Sequence, residues 1–132
     1  MIPHNRSYEN WAPVVARLLL AFQFGVAALF KVMGFSMQVA QTAAVGVPLP
    51  TIAVALALIL EVLAVLSLLT GWYIRLVATV LVPYVLLLAV LFYHNWSDPM
   101  IMGAFISHLA LIAALLYISV YGAQHFSVSQ GK

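Results

Sequence analysis

Four runs of about twenty consecutive, overwhelmingly apolar residues dominate this sequence, and each matches the length that an α-helix needs to cross a hydrocarbon core of about 30 Å. They occupy residues 12–32, 50–70, 73–93 and 102–121. All four are too long and too weakly alternating to suit a membrane β-strand, and a helix satisfies its own backbone hydrogen bonds, as lipid demands. The expected fold is therefore all-α, a four-helix integral membrane bundle forming a single domain over residues 1–132. With 66% of residues hydrophobic and 6% charged, against about a quarter charged in soluble domains, no stretch is left for a separate soluble domain.

The punctuation agrees with this division. Gly46, Pro48 and Pro50 precede the second run, Gly71 separates the second from the third, and Asn95, Ser97, Asp98 and Pro99 precede the fourth. Trp11, Trp72 and Trp96 all fall at run boundaries, with Tyr73, Tyr93 and Tyr121 beside them, as amphipathic rings do at the headgroup level. Arg6, Arg17, Arg75 and Lys132 fall on the side of both termini and the second connection, whereas Lys31 lies toward the other side. This bias predicts that both termini are cytoplasmic. The first run is too long for a signal peptide and has no small-residue cleavage site, which makes it a retained anchor. Residues 33–49, with Ser36, Gln38, Gln41 and Thr42 among apolar neighbours, read as a short interfacial helix or hairpin lid.

Charge and cysteine usage exclude several function classes. Five Lys or Arg against three Asp or Glu give a net charge of +2, too little and too scattered to grip phosphates, so nucleic-acid binding is set aside. The absence of cysteine removes disulfides, thiolate metal sites, Cys-ligated iron–sulfur clusters and covalent c-type haem attachment.

What remains informative is the set of polar groups inside the runs. Glu61 stands near the middle of the second, where an ionised carboxylate costs several kcal/mol unless it is paired or protonated. Ala53, Ala57 and Ala64 share its helical face, and such small residues mark helix packing, so Glu61 is expected to point into the bundle. Arg17 and Lys31 are fourteen residues apart, within about 40° of a whole number of turns. They therefore share a face with Ala21, Phe24 and Ala28 between them, and one or both cations are expected to reach Glu61. The competing expectation for these cations is snorkelling to the headgroups.

His94 closes the third run and His108 lies early in the fourth, in the same half of the bundle as Lys31. With no carboxylate or third His at ligand spacing, they form no metal site, and ordinary hydrogen-bonded histidines are expected. Ser107 fits a packing stripe with Gly103, Ala110 and Ala114 rather than a nucleophile, and Pro83 is expected to kink the third helix. No catalytic residue stands out. Glu61, Lys31, Arg17, His94 and His108 admit two readings: a salt-bridged core that fixes register among interchangeable apolar helices, or a polar pocket that binds a quinone-like or other small amphipathic ligand or relays a proton.

The order and spacing of several short motifs resemble the DoxX family of bacterial four-helix membrane proteins. The resemblance is carried by Val15-Ala16-Arg17-Leu18-Leu19, Lys31, Gly34-Phe35, Gly46-Val47-Pro48 and Glu61. It continues through Leu68-Leu69-Thr70-Gly71, Arg75, His94, Phe105-Ile106-Ser107-His108-Leu109-Ala110-Leu111, and Gly122 with Phe126-Ser127-Val128. Two positions depart from the family pattern: Ser107-His108 stands where a Lys-Asn pair is frequent, and Ala113-Ala114 where Gly-Gly is. The resemblance implies a bundle in the bacterial cytoplasmic membrane and a redox setting, since relatives include a subunit of thiosulfate:quinone oxidoreductase and a membrane partner of superoxide dismutase and a sulfurtransferase. The absence of cysteine and of any cofactor motif argues that the chain is not itself the redox catalyst and has no cofactor of its own, with a quinone the one candidate ligand. The small-residue stripes and scarce extramembrane mass favour association with other membrane subunits, as a homo- or hetero-oligomer. The expected role is an accessory or anchoring subunit of a quinone-linked complex. The alternative is a small-molecule or proton permease with its polar pocket around Glu61.

Overall fold

In the computed structural model the backbone is described over residues 6–123 and the side chains from Asn10 onward. Arg6, by its side chain, and Lys132 and the segment Phe126-Ser127-Val128 lie outside the described residues. Five helices follow one another: α1 (Arg6–Met33), α2 (Phe35–Ala44), α3 (Pro50–Thr70), α4 (Ile74–Phe92) and α5 (Pro99–Tyr121). All except α2 are long and apolar enough to cross a membrane, α1 over Asn10–Met33. The chain is thus an all-helical, four-span membrane protein, and its even number of spans returns the two ends of the described chain to one side.

Local chemistry sets the helix ends. Asp98 caps α5 by accepting a hydrogen bond from the Met100 N–H at 2.9 Å, and Pro99 follows at the first helical position. This start lies three residues before the apolar run at 102, because hydropathy does not register a polar cap. Gly71 ends α3 in the left-handed conformation, φ +79°, with its N–H on the Ser67 carbonyl at 2.7 Å. The buried Ser67 hydroxyl donates to the Trp72 carbonyl at 2.8 Å and fastens the turn into α4. Trp11, Trp72 and Trp96 are all exposed near helix ends. α4 continues as one helix through Pro83.

The core is built around α4. Ile74, Ala78, Leu81, Val85 and Ala89 recur at helical spacing and are all buried, which is the stripe expected of the central member of a bundle. Ala64 and Leu68 of α3, Ala21 and Phe24 of α1, and Leu115 and Ile118 of α5 complete it. The packing is uneven. α1 lies against α3 and α2, α3 joins α4, and α5 packs on α4 alone among the described helices. Consequently 6% of the most apolar window of α5 is buried, against 28% in α3 and in α4.

Ala64 is fully buried, so an added side chain has nowhere to go. Ala64→Leu is expected to destabilise the folded protein by about 1–3 kcal/mol, read from unfolding in mixed micelles, whereas the same change at the lipid-facing Ala110 is expected to be nearly silent.

Candidate functional site

The helical phase of α1 places Arg17, Ala21, Phe24 and Ala28 on one buried stripe, with Lys31 half-buried at its end. Lys31 Nζ lies 2.9 Å from Glu61 Oε1, and Glu61 is 2% exposed. Glu61 sits on the inward face of α3 with Ala64 buried beside it and Ala53 and Ala57 partly buried above. This is a charge-assisted hydrogen bond to a buried carboxylate, a class of bond that is short and strong.

A third partner completes the cluster. The Tyr84 hydroxyl donates to the same Glu61 oxygen at 3.0 Å. Glu61 lies nine residues before the end of α3 and Tyr84 ten residues after the start of α4, so the antiparallel pair brings them to one depth. Sequence reasoning treated Tyr84 as part of an apolar run. The available signal was its position: Tyr73, Tyr93 and Tyr121 occupy boundaries, whereas Tyr84 is mid-span, and a phenol at that depth requires an acceptor. One side chain from each of α1, α3 and α4 therefore meets at Glu61. Its second oxygen, Oε2, is fully buried with no hydrogen-bond partner among the described residues.

The other candidates are distributed elsewhere. Arg17 is buried on the stripe but lies about 21 Å along α1 from Lys31, and Glu61 is held by Lys31 and Tyr84 instead. His94 is exposed, with Nδ1 3.1 Å from the Val90 carbonyl. His108 has Nδ1 2.8 Å from the Ala104 carbonyl, and its ring packs against Tyr93 with centroids 4.7 Å apart and planes tilted by 43°. Neither histidine is brought to Lys31: His94 lies exposed beyond the end of α4, and His108 is carried by α5, which packs on α4 and makes no contact with α3. Among the described residues no group of three His, Asp or Glu gathers as a metal site.

Above the cluster lies a cavity of about 130 Å³, lined by Lys31 and Tyr84 at its floor, Gln38 and Thr42 of α2 on one side, and Ala57 and Leu88 among its apolar walls. Lys31 stands two residues from the end of α1 yet meets a residue eleven positions, about 16 Å, into α3. α1 therefore stops short of the level where α3 begins, and α2 occupies the remaining height. The 33–49 link is thus a helix that covers the cavity. Its Thr42 hydroxyl is turned inward onto the Gln38 carbonyl at 2.8 Å. A cavity of about 150 Å³ holds one benzene ring, so this one accepts a single small ring or several waters. Lys31 has N–H donors beyond the one given to Glu61, and Gln38 carries both donor and acceptor groups.

The sequence profile described as DoxX matches residues 12–95, a stretch that contains Arg17, Lys31, Glu61, Tyr84 and His94. The inner membrane protein YphA of Escherichia coli (strain K12) is 31% identical over 84 residues, which cover 64% of this chain and 60% of YphA. The match thus spans less than two thirds of that relative's length. No solved structure matches the chain significantly.

Removing one member of a buried pair strands the other, whereas removing both does not. Lys31→Met alone is expected to cost about 3–5 kcal/mol, and Lys31→Met combined with Glu61→Leu to recover most of it, both read from unfolding in micelles. Tyr84→Phe is expected to cost about 1 kcal/mol. Equal losses in the single and double variants would remove the ion pair from the account.

Proposed function

We propose, from the premise that this chain belongs to the DoxX family, that it serves as a non-catalytic accessory or anchoring subunit of a membrane redox or respiratory assembly. It is a multi-pass inner-membrane protein, like its E. coli relative, and the charge bias of its sequence orients both termini to the cytoplasm. The observation that carries the reading is the exposure of α5, which packs on α4 and has 6% of its most apolar window buried, against 28% in α3 and in α4. A helix attached in this way is a surface for other membrane subunits. The polar core supports the same reading, since Lys31 and Tyr84 engage Glu61 so as to fasten three helices. A redox setting rests on the family resemblance alone, and fold similarity does not carry activity.

A quinone is the one group this setting implies, and it would supply electron acceptance to the assembly. The residues fit its ring: the 130 Å³ cavity takes one ring and little more. Lys31 and Gln38 would each donate a hydrogen bond to a carbonyl oxygen, while Ala57 and Leu88 exclude water. The prenyl tail would have to leave between helices.

The cavity favours a second reading, a small-molecule or proton permease, because polar groups of α2 lie over Lys31 and Tyr84. Isolation from native membranes in mild detergent, with mass spectrometry of the partners, separates the two. Co-isolated oxidoreductase subunits are expected; an isolated chain that supports solute or proton flux in vesicles contradicts the accessory reading. Ala57→Phe, which fills the cavity, is expected to leave co-isolation intact and to abolish quenching of protein fluorescence by added short-chain quinone.

A further inference from the structure

Between α1 and α5 runs an open groove with Leu19 and Gln23 on one bank and Ser107, His108 and Leu111 on the other. Gln23 is exposed and lies near the middle of the span Asn10–Met33. Its amide makes no hydrogen bond with any described residue, although at that depth there is neither water nor a lipid headgroup to satisfy it. The opposite bank is polar but has committed its donors. The Ser107 hydroxyl donates to the Gly103 carbonyl at 3.0 Å. His108 Nδ1 lies 2.8 Å from the Ala104 carbonyl, an acceptor, so the proton of the neutral ring is on Nδ1.

We propose that this groove is the contact surface for a second copy of this chain, joined about a two-fold axis along the membrane normal with Gln23 facing Gln23. The proposal rests on the accessory reading in treating exposed helix surface as assembly surface, and names the occupant of one part of it. Copies inserted in the same orientation are related by an axis along the normal, which sets every residue at the depth of its mate. A partner of another sequence must bring a polar group to the right depth; a second copy does so by construction. A carboxamide is its own complement, since it offers donors and an acceptor together. Interhelical pairs of this kind hold membrane helices together where burial of apolar surface gives no net drive. Leu19 and Phe22, both strongly exposed, supply the packing around the pair.

The absence of native cysteine permits single-cysteine cross-linking in native membranes with no background from the chain's own thiols. Leu19→Cys, in the groove, is expected to form a disulfide-linked species of twice the chain mass under mild oxidation, and Leu56→Cys, on the lipid face of α3, is not. In the Leu19→Cys background Gln23→Leu is expected to lower the cross-linked fraction about threefold to tenfold, with Gln23→Asn restoring most of it. Native mass spectrometry of the unsubstituted chain is expected to show the same dimer. Equal cross-linking at Leu19→Cys and Leu56→Cys, or no effect of Gln23→Leu, overturns the proposal. Cross-linking of Leu19→Cys to a different protein overturns the second copy while leaving the accessory reading standing. A chain that is monomeric and free of partners in native membranes overturns both.

Discussion

The bond between Lys31 and Glu61 decides how the apolar helices are arranged. In lipid the tails outside are as apolar as the side chains inside, so rotating or sliding an apolar helix changes little by burial alone. A carboxylate at mid-span removes that freedom, because it must find donors or be expelled. Glu61 finds them on two helices at once. This fixes the rotation of α1, α3 and α4 and the height of α1 relative to α3. The height in turn leaves space that α2 fills, which is why a cavity with polar groups on its floor and side exists there at all. A buried ion pair is weak evidence of stability; here its larger consequence is register.

Much of this was legible in the sequence. Four spans follow from run length, and the shared face of Arg17 and Lys31 follows from the helical period, with the small residues between them marking the side that packs. The inward face of Glu61 followed from Ala53, Ala57 and Ala64. The missing part had one common cause: a run that is apolar all round carries no information about its rotation. α5 is such a run: sequence places His108 in the same half of the bundle as Lys31, but a residue's height does not give the side of the bundle to which its helix is attached. Tyr84 was hidden for a related reason, since an aromatic in an apolar run reads as packing until its hydroxyl is counted. His94 lies one residue beyond the cap of α4 and turns outward.

The same reasoning links the interior to the surface. Helices fastened by Glu61 need no further closure, so α5 can sit on α4 and leave its other sides open. An open α5 creates the groove with α1, and a polar residue at mid-depth on that groove, Gln23, has the same requirement that Glu61 has in the core. One oxygen of Glu61 finds both its donors within the chain, whereas Gln23 has no hydrogen-bond partner among the described residues. Departure from the family pattern falls on this surface too: Ser107 and His108, which replace a frequent Lys-Asn pair, both line the groove. Interior polar groups thus serve the bundle, and the lipid-facing Gln23 carries the proposed contact with a second copy.

The central claim is that Lys31 and Glu61 are bonded inside the bilayer. The sequence contains two lysines, Lys31 and Lys132, and two glutamates, Glu9 and Glu61, so labelling lysine with ¹⁵N at Nζ and glutamate with ¹³C at Cδ gives a nearly unambiguous pair. Dipolar recoupling by solid-state NMR in lipid bilayers should report a separation of about 3.5–4 Å, matching the 2.9 Å contact at the carboxylate oxygen, and Glu61→Gln should lengthen or abolish it. A separation beyond about 6 Å, outside the range of a direct pair, with Lys31 reaching the headgroups instead, would contradict the account.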